Sequence, residues 1–296
     1  MKKTINNSRI EGKFYEKNLR TGVTKKGVDY VSGRVTIHTG GDNTVTIDVF
    51  EQAITSKGSA NQKYPILMQL FNTPAVMDGN PDAPTLKVNS SLAANDFYGR
   101  DGQLVTANKN DGGFITITSA IKPQATFEAD VLIKNVIREV KNEEETGRGI
   151  VNGFVFDFRQ TAHPIKFVIE NEKGVEFFED LGKAFIKVWG NQVSSTIVTT
   201  RTETSAFGDS REIESTTSRK ELIITGCAEN PYDEDALTQE DINAALGARE
   251  TNLVDLKARQ DAKASGTPKG GVNLSVGAST GSAQAPKNGN LGGYNF

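Results

Sequence analysis

The sequence has little of what most secreted or membrane proteins need. Its 296 residues include one cysteine, Cys227, which excludes an internal disulfide and agrees with a reducing compartment. No run approaches the roughly 18 consecutive apolar residues of a membrane-spanning helix. A signal peptide has an apolar stretch after its basic N-terminal residues, and no such stretch follows the basic residues here. We therefore expect a protein that does not enter a membrane and that stays in the cytoplasm.

Catalytic and metal-binding motifs are also absent. The two histidines, His38 and His163, lie far apart in the sequence. The chain contains no GxxxxGK[ST], CxxC, HExxH or GxSxG pattern. The acidic residues at 233–235 are better explained as a solvated linker than as a site for a hard metal ion. We therefore expect no enzymatic activity, no cofactor and no metal.

The N-terminal three quarters of the chain has the patterning of β-strands. Residues 28–38 alternate between apolar and polar side chains, and residues 44–50 do so again after a Gly/Asp/Asn turn. Two such runs around a turn predict a β-hairpin. Later runs at 85–92, 114–121 and 126–140 are rich in β-branched residues. The chain to about residue 228 is thus predicted to form strands.

An internal repeat sets the predicted fold class. Residues 32–37 have an echo at 152–157, and Leu-Lys-Val at 86–88 has one at 186–188 as Ile-Lys-Val. The same order of strands therefore occurs twice, at a spacing of roughly 100 to 120 residues. This predicts a mainly β protein with two tandem five-stranded barrels of the OB type, with two halves of a β-sandwich as the alternative.

The C-terminal part changes character after Pro231. Thr238 resembles a helix cap, and apolar residues recur with helical spacing to about residue 260. The Gly-, Ser- and Asn-rich segment that follows is predicted to be disordered. The predicted boundaries are 1–122 for the N-terminal barrel domain, 123–230 for the second barrel domain, 231–262 for an acidic linker and amphipathic helix, and 263–296 for the tail.

The distribution of charge points to a nucleic-acid partner. The chain has a net charge of −3, yet residues 1–40 carry nine Lys/Arg against three acids, a net +6. Cations can follow phosphates, and aromatic rings can stack unpaired bases. If the valines of the 28–38 strand face the core, Tyr30 and Arg34 face outward. The candidate nucleic-acid-binding residues are Lys13, Tyr15, Lys17, Arg20, Lys25, Lys26, Tyr30, Arg34, Phe50, Phe97, Tyr98 and Arg100.

Two groups of aromatic residues leave alternatives open. Phe97 and Tyr98 fall in a segment, 95–102, that is predicted to be a loop near the mouth of a binding groove. In the second half, Phe154, Phe156 and Phe158 recur at every other position and align by the repeat with positions 34, 36 and 38. They form either a stacking platform or a buried face packed on the other domain, and burial is favoured.

Residues 86–105, together with 32–37, give the chain a family resemblance. Over about residues 8–228 it resembles phage-encoded single-stranded DNA-binding proteins with OB-folds. The resemblance implies protection of single strands during phage DNA replication or recombination in the cytoplasm of a bacterial host. Bacterial relatives end in an acidic peptide closing on Pro-Phe, whereas this chain ends in Gly-Gly-Tyr-Asn-Phe without adjacent acids. Tyr294 and Phe296 are predicted to dock replication or recombination proteins.

The predicted function is therefore sequence-independent binding of single-stranded DNA. A structural or host-interaction phage protein that uses the barrels for protein binding is the first alternative. An enzyme or a recombinase-loading factor is the second. The sequence leaves open whether the protein forms a homo-oligomer and whether it prefers DNA to RNA.

Overall fold

A computed structural model describes residues 4–99, 101–141, 143–204, 207, 209–232 and 238–264. Within these residues the chain forms ten strands and three α-helices. The elements are β1 (Asn6–Val23), β2 (Asp29–Gly40), β3 (Asn43–Gln52), α1 (Lys63–Asn72), β4 (Thr85–Tyr98), β5 (Leu104–Ile117), β6 (Gln124–Lys141), β7 (Glu144–Phe156), β8 (Ala162–Ile169), α2 (Glu172–Leu181), β9 (Phe185–Glu203), β10 (Arg211–Cys227) and α3 (Gln239–Ala264).

The strands close into two rings with the same connectivity. In the first barrel the order is β1-β2-β3-β5-β4, and β4 pairs back with β1. In the second the order is β6-β7-β8-β10-β9, and β9 pairs back with β6. The third and fifth strands of each ring are parallel, and a helix connects the third strand to the fourth. This arrangement is that of the OB-fold, so the predicted fold class is confirmed.

The predicted alternation of apolar and polar side chains identifies the core residues of the hairpin correctly. Val31, Val35 and Ile37 of β2 are fully buried, and Val45 and Ile47 of β3 join them in the first barrel's core. The second barrel has its own core, and a smaller cluster lies beneath α3. The side chains that alternate with these residues therefore face outward.

The chain to residue 228 was predicted to form strands only, and the structure adds two helices, α1 and α2, within it. Helices α1 and α2 have ten residues each, too few to show a clear period over several turns. Strand β4 also continues through Tyr98, so residues 95–98 are strand and not loop. The helix predicted from Thr238 is confirmed, since Asp241 donates its backbone N–H to the Thr238 hydroxyl at 3.1 Å. The predicted tail lies outside the described residues from 265 onward.

The repeat is real, but part of its predicted register is wrong. Each barrel has a bulge in its first strand, just after the pair Phe14↔Ile37 in one barrel and Ile133↔Gly153 in the other. Gly153 is therefore equivalent to Ile37, whereas the sequence match had set it against Gly33. A short alternating pattern fits a strand at several registers, and only the bulges define the correct one.

The barrels join through a shared sheet and through two hairpins that cross between them. Strand β1 pairs with β6 along residues 6–11. Arm 1, residues 92–110 of β4 and β5, reaches the second barrel, where the Asn108 amide donates to the carbonyl of Lys166 at 3.0 Å. Arm 2, residues 191–222 of β9 and β10, reaches the first barrel, where Asn43 donates to the carbonyl of Gln192 at 3.0 Å.

Helix α3 contacts both barrels. Ile242 and Ala245 near its start pack on Phe156 and Ala162 of the second barrel. Farther along, Arg249 binds the end of β4 in the first barrel. The helix thus ties arm 1 to the second barrel.

Candidate nucleic-acid interface

An aromatic platform lies at one end of the outward face of β2 and β3. The rings of Tyr30 and Phe50 stack with centroids 5.5 Å apart and an interplanar angle of 29°. Phe50 is 51% exposed. The Tyr30 ring lies over Gly22 of β1, where an added Cβ would come within 2.7 Å of the tyrosine oxygen. The glycine therefore leaves the space that the platform needs.

Cations continue along the same face. Arg34 is 66% exposed and its Nε lies 3.2 Å from the Asp48 carboxylate. Arg20 of β1 donates from Nε to the Ser32 hydroxyl at 3.3 Å, which holds its guanidinium over β2. Exposed surface pairs of this kind add little to stability, so the guanidinium groups can exchange a partner for a phosphate at little cost.

The turn between β1 and β2 adds positive charge beside the platform. Lys25 and Lys26 are exposed in this turn. Gly22 pairs with Tyr30 across the two strands, so the turn begins only two residues beyond the platform. Toward the other end of this face, Thr36 lies six residues from Tyr30 on β2. This spacing is about 20 Å along the strand, at roughly 3.4 Å per residue.

A groove of about 390 Å³ lies at the other end of this face, between the first barrel and arm 2. Arg34, Thr36 and Thr46 line it from the first barrel, and Val193 and Lys220 line it from arm 2. The hydroxyls of Thr36 and Thr46 lie 3.2 Å apart and bond to each other. Most residues that line the groove have polar side chains, and the platform and the groove share one strand face.

A buried polar network fixes arm 2 beside the groove. The Ser8 hydroxyl donates to the side-chain oxygen Oδ1 of Asn110 at 2.9 Å, and the side-chain amide of Asn110 donates to Oε1 of Gln192 at 2.8 Å. Gln192 in turn donates to Ser8, which closes the triangle. Ser194 also donates its backbone N–H to Asn43 at 2.6 Å. Because these groups are buried, losing one partner would leave the others unpaired, so the position of the arm is well defined.

Lys17 lies on the opposite side of β1 from the platform. Its ammonium donates to the carbonyls of Phe71 at 2.9 Å and Thr73 at 2.6 Å, at the C-terminus of α1. It also lies 3.7 Å from the Asp78 carboxylate. These partners satisfy carbonyls that the helix leaves free at its end, so Lys17 has a structural role.

Replacing Lys17 by Met should therefore lower stability and spare binding. The variant keeps the apolar stem but removes charge-assisted hydrogen bonds, which are worth about 1.5–3 kcal/mol. Urea unfolding should show a loss of about this size, and the affinity for oligo-dT should change less than twofold. A large loss of affinity with unchanged stability would contradict this assignment.

Phe97 and Tyr98 point to opposite sides of arm 1. Phe97 is 43% exposed and shares its strand side with Asn95, which lines the groove. Tyr98 faces α3, where the Lys257 ammonium lies 5.1 Å from the ring centroid. Only Phe97 of this pair therefore lies on the groove side of arm 1, because Tyr98 faces Lys257 of α3.

Asp96 and Arg249 fasten α3 to the same stretch of arm 1. The two guanidinium nitrogens lie 2.6 and 2.7 Å from the two carboxylate oxygens, and both side chains are about 15% exposed or less. Burial alone would raise the pKa of Asp96, but hydrogen bonds from Arg249 and Thr106 outweigh it and lower the pKa. Asp96 is therefore ionised at neutral pH.

Comparison with known proteins assigns the chain to a family. The family model YorF matches residues 4–259, which span both barrels and most of α3. The chain belongs to the YorF family. No curated protein matches the sequence. Among solved structures, it is similar to the single-stranded DNA binding protein from Thermus aquaticus, as wild type and as a deletion mutant. In both comparisons the sequence identity is 8%, the TM-score is 0.47 and the match covers 78% of this chain. It covers 95% of the wild-type chain and 96% of the deletion mutant.

The remaining predicted residues of this YorF-family protein lie elsewhere. Tyr15 is the bulged residue of β1, and its ring lies 5.8 Å from that of His38, at the far end of β2 from Tyr30. Lys13 pairs with His38 across the two strands. Arg100, Tyr294 and Phe296 lie outside the described residues.

The aromatic stripe of the second barrel is mostly buried, as favoured, but against a different partner. Phe156 is fully buried beneath Ile242 of α3, and Phe154 packs on the same cluster. Phe158 follows the end of β7 and is 81% exposed, with the Arg159 guanidinium 5.1 Å from its ring centroid. The stripe thus serves mainly to dock α3.

No metal centre is found among the described residues, where no group of three His, Cys, Asp or Glu side chains is arranged to hold a metal ion. None of the helices in that part of the chain is long and apolar enough to cross a membrane. Burial raises the pKa of the Cys227 thiol, which disfavours the reactive thiolate.

Proposed function

We propose that this YorF-family protein binds single-stranded DNA, without sequence preference, on the outward face of β2 and β3. The observation that carries the proposal is the stacked pair Tyr30 and Phe50, exposed beside Arg20 and Arg34. Strands two and three are the face that OB-folds use for oligonucleotides. This surface combines the two elements that such binding needs, a stacking platform and phosphate-binding cations.

The physical chemistry of the face favours single strands over duplex. A base can stack on the platform only when it is unpaired, and stacking depends little on which base it is. Arg20, Arg34, Lys25 and Lys26 can bind phosphates on either side of the stacked base. Each phosphate that they neutralise releases condensed counterions, so affinity falls as salt rises.

The biological setting follows from the resemblance to phage-encoded single-stranded DNA-binding proteins. We propose that the protein protects single strands during DNA replication or recombination in a phage-infected bacterium. Tyr294 and Phe296 would then recruit a replication or recombination protein to the coated strand. Deleting residues 290–296 should remove that recruitment and leave the affinity for DNA unchanged.

Fluorescence anisotropy of a labelled oligo-dT tests the proposal. We expect tight binding at low salt and much weaker binding to a duplex of equal length. If the four cations each neutralise one phosphate, log K should fall with log salt at a slope of about −3, from about −0.7 per phosphate on a single strand. No binding at low salt would overturn the proposal and would favour the barrels as protein-interaction modules.

A further inference from the structure

We infer that the second barrel contributes to the same binding site through arm 2, and not through a binding face of its own. This rests on the proposed function.

The second barrel lacks the chemistry of the first at equivalent positions. With Ile37 matched to Gly153, the paired residues Arg34 and Asp48 correspond to Ile150 and Val168, which are also paired. An apolar pair thus replaces a charged one.

The aromatic platform is also missing from the second barrel. By the same register, Tyr30 corresponds to Thr146 and Phe50 to Glu170. A hydroxyl and a carboxylate offer no surface on which a base can stack, and the carboxylate repels phosphate.

Arm 1 covers the face of β8. Asn108 bonds the backbone of Lys166 through both its amide nitrogen and its oxygen, at 3.0 and 3.4 Å. Ala94 donates its backbone N–H to His163 at 3.4 Å. A strand that approached β7 and β8 would have to displace this arm. The corresponding contact of arm 2 with β3 involves Asn43 at one end and leaves the groove open beside Arg34.

Lys220 is the cation of the groove best placed to bind a phosphate. It lines the groove from β10 and is exposed, and within the described part of the chain it has no ion-pair partner. Three acids line the groove: Glu16 has no ion-pair partner among the described residues, whereas Glu221 binds Arg148 and Arg219, at 2.9 and 2.6 Å. The neighbouring Asp48 faces Arg34 and is likewise occupied.

Uncommitted amides complete the groove. Asn18 and Asn95 line it, and neither side chain has a hydrogen-bond partner among the described residues. Amide groups of this kind commonly bind phosphate and sugar oxygens. The strand therefore runs from the Tyr30–Phe50 platform past Arg34 into the groove, where Lys220 binds a phosphate from the opposite wall.

Charge reversal at Lys220 tests the path. Lys220→Glu should weaken oligo-dT binding at low salt by about five- to tenfold and make the salt slope shallower by about 0.7, because one phosphate contact is lost. Lys173→Glu on α2 is the matched control, since Lys173 is exposed and does not line the groove. It should leave the affinity within about twofold of wild type and the salt slope unchanged, because no phosphate contact is lost.

The outcomes separate the inference from the proposed function. If Lys220→Glu behaves like the control while alanine at Tyr30 and Phe50 still weakens binding, arm 2 does not contact the strand and the inference fails. If the wild-type protein binds no single strand, the proposed function fails as well. If the glutamate variant unfolds, Lys220→Ala replaces it in the same test. This variant introduces no new charge and should change the salt slope by the same amount.

Discussion

Replacing Tyr30 and Phe50 together by alanine should weaken binding to oligo-dT by about 10- to 100-fold. Loss of a stacked base costs about 1–3 kcal/mol, and removing both rings leaves no aromatic surface on this end of the face. The salt slope should stay the same, because Arg20, Arg34 and the two turn lysines remain. Anisotropy titrations at several salt concentrations measure affinity and slope in the same experiment.

The matched control is Phe158→Ala, which removes an aromatic ring that is more exposed than Phe50 and also lies beside an arginine. Since Phe158 belongs to the second barrel, its loss should change affinity less than twofold. Equal losses for the two variants would mean that exposed aromatic residues act nonspecifically. A changed slope in the Tyr30/Phe50 variant would mean that the rings hold the cations in place.

The outward placement of Tyr30 and Arg34 could be predicted because its signal is local. Burial of Val31, Val35 and Ile37 at every other position is enough to turn Tyr30 and Arg34 outward. The partner strand repeats the pattern, and a short turn sets the pairing of the two. Nothing beyond the hairpin is needed to bring Phe50 beside Tyr30, and the structure brings them together.

The side on which Lys17 lies could not be predicted, because it depends on a bulge. Phe14 faces the core, so regular alternation would turn Lys17 outward and Arg20 inward. The extra residue at Tyr15 reverses this from Glu16 onward, and Arg20 reaches the face while Lys17 reaches α1. Bulges have no reliable sequence signature outside glycine positions.

The groove could not be predicted from the sequence either, but for a different reason. Lys109 and Lys220 come close to Arg34 only because β3 pairs with β5 and because arm 2 crosses from the other barrel. Both contacts join residues far apart in the chain. The only local signal was that each lysine lies in a polar, strand-like segment, which many solvated lysines share.

Replacing Arg249 by alanine should release the C-terminal half of α3 from arm 1. The guanidinium binds Asp96 through two short hydrogen bonds, and its loss leaves a largely buried carboxylate without that partner. Breaking a fully buried pair costs about 3–5 kcal/mol, so about 2–3 kcal/mol is expected for this partly exposed one. Hydrogen exchange should show about 30- to 150-fold less protection of α3 amides, with the barrel strands little changed.

The matched control is Arg259→Ala on the same helix, where the arginine is exposed and has no ion-pair partner among the described residues. Its protection should match that of the wild type. Equal losses in both variants would show that the ion pair with Asp96 does not hold α3 in place.

The pH dependence identifies the charge as the cause. Because the folded pKa of Asp96 lies below its ordinary value of 3.8, the ion pair stabilises fully above that value. Its contribution is lost as the pH falls through the folded pKa, so the difference between wild type and Arg249→Ala should shrink there when both are measured at the same pH. A difference that persists in acid would instead assign the effect to packing of the arginine stem. Asn95, which lines the groove, precedes Asp96 in β4. Loss of the Asp96–Arg249 pair, whether by substitution or in acid, should therefore also loosen the part of arm 1 beside the proposed strand path.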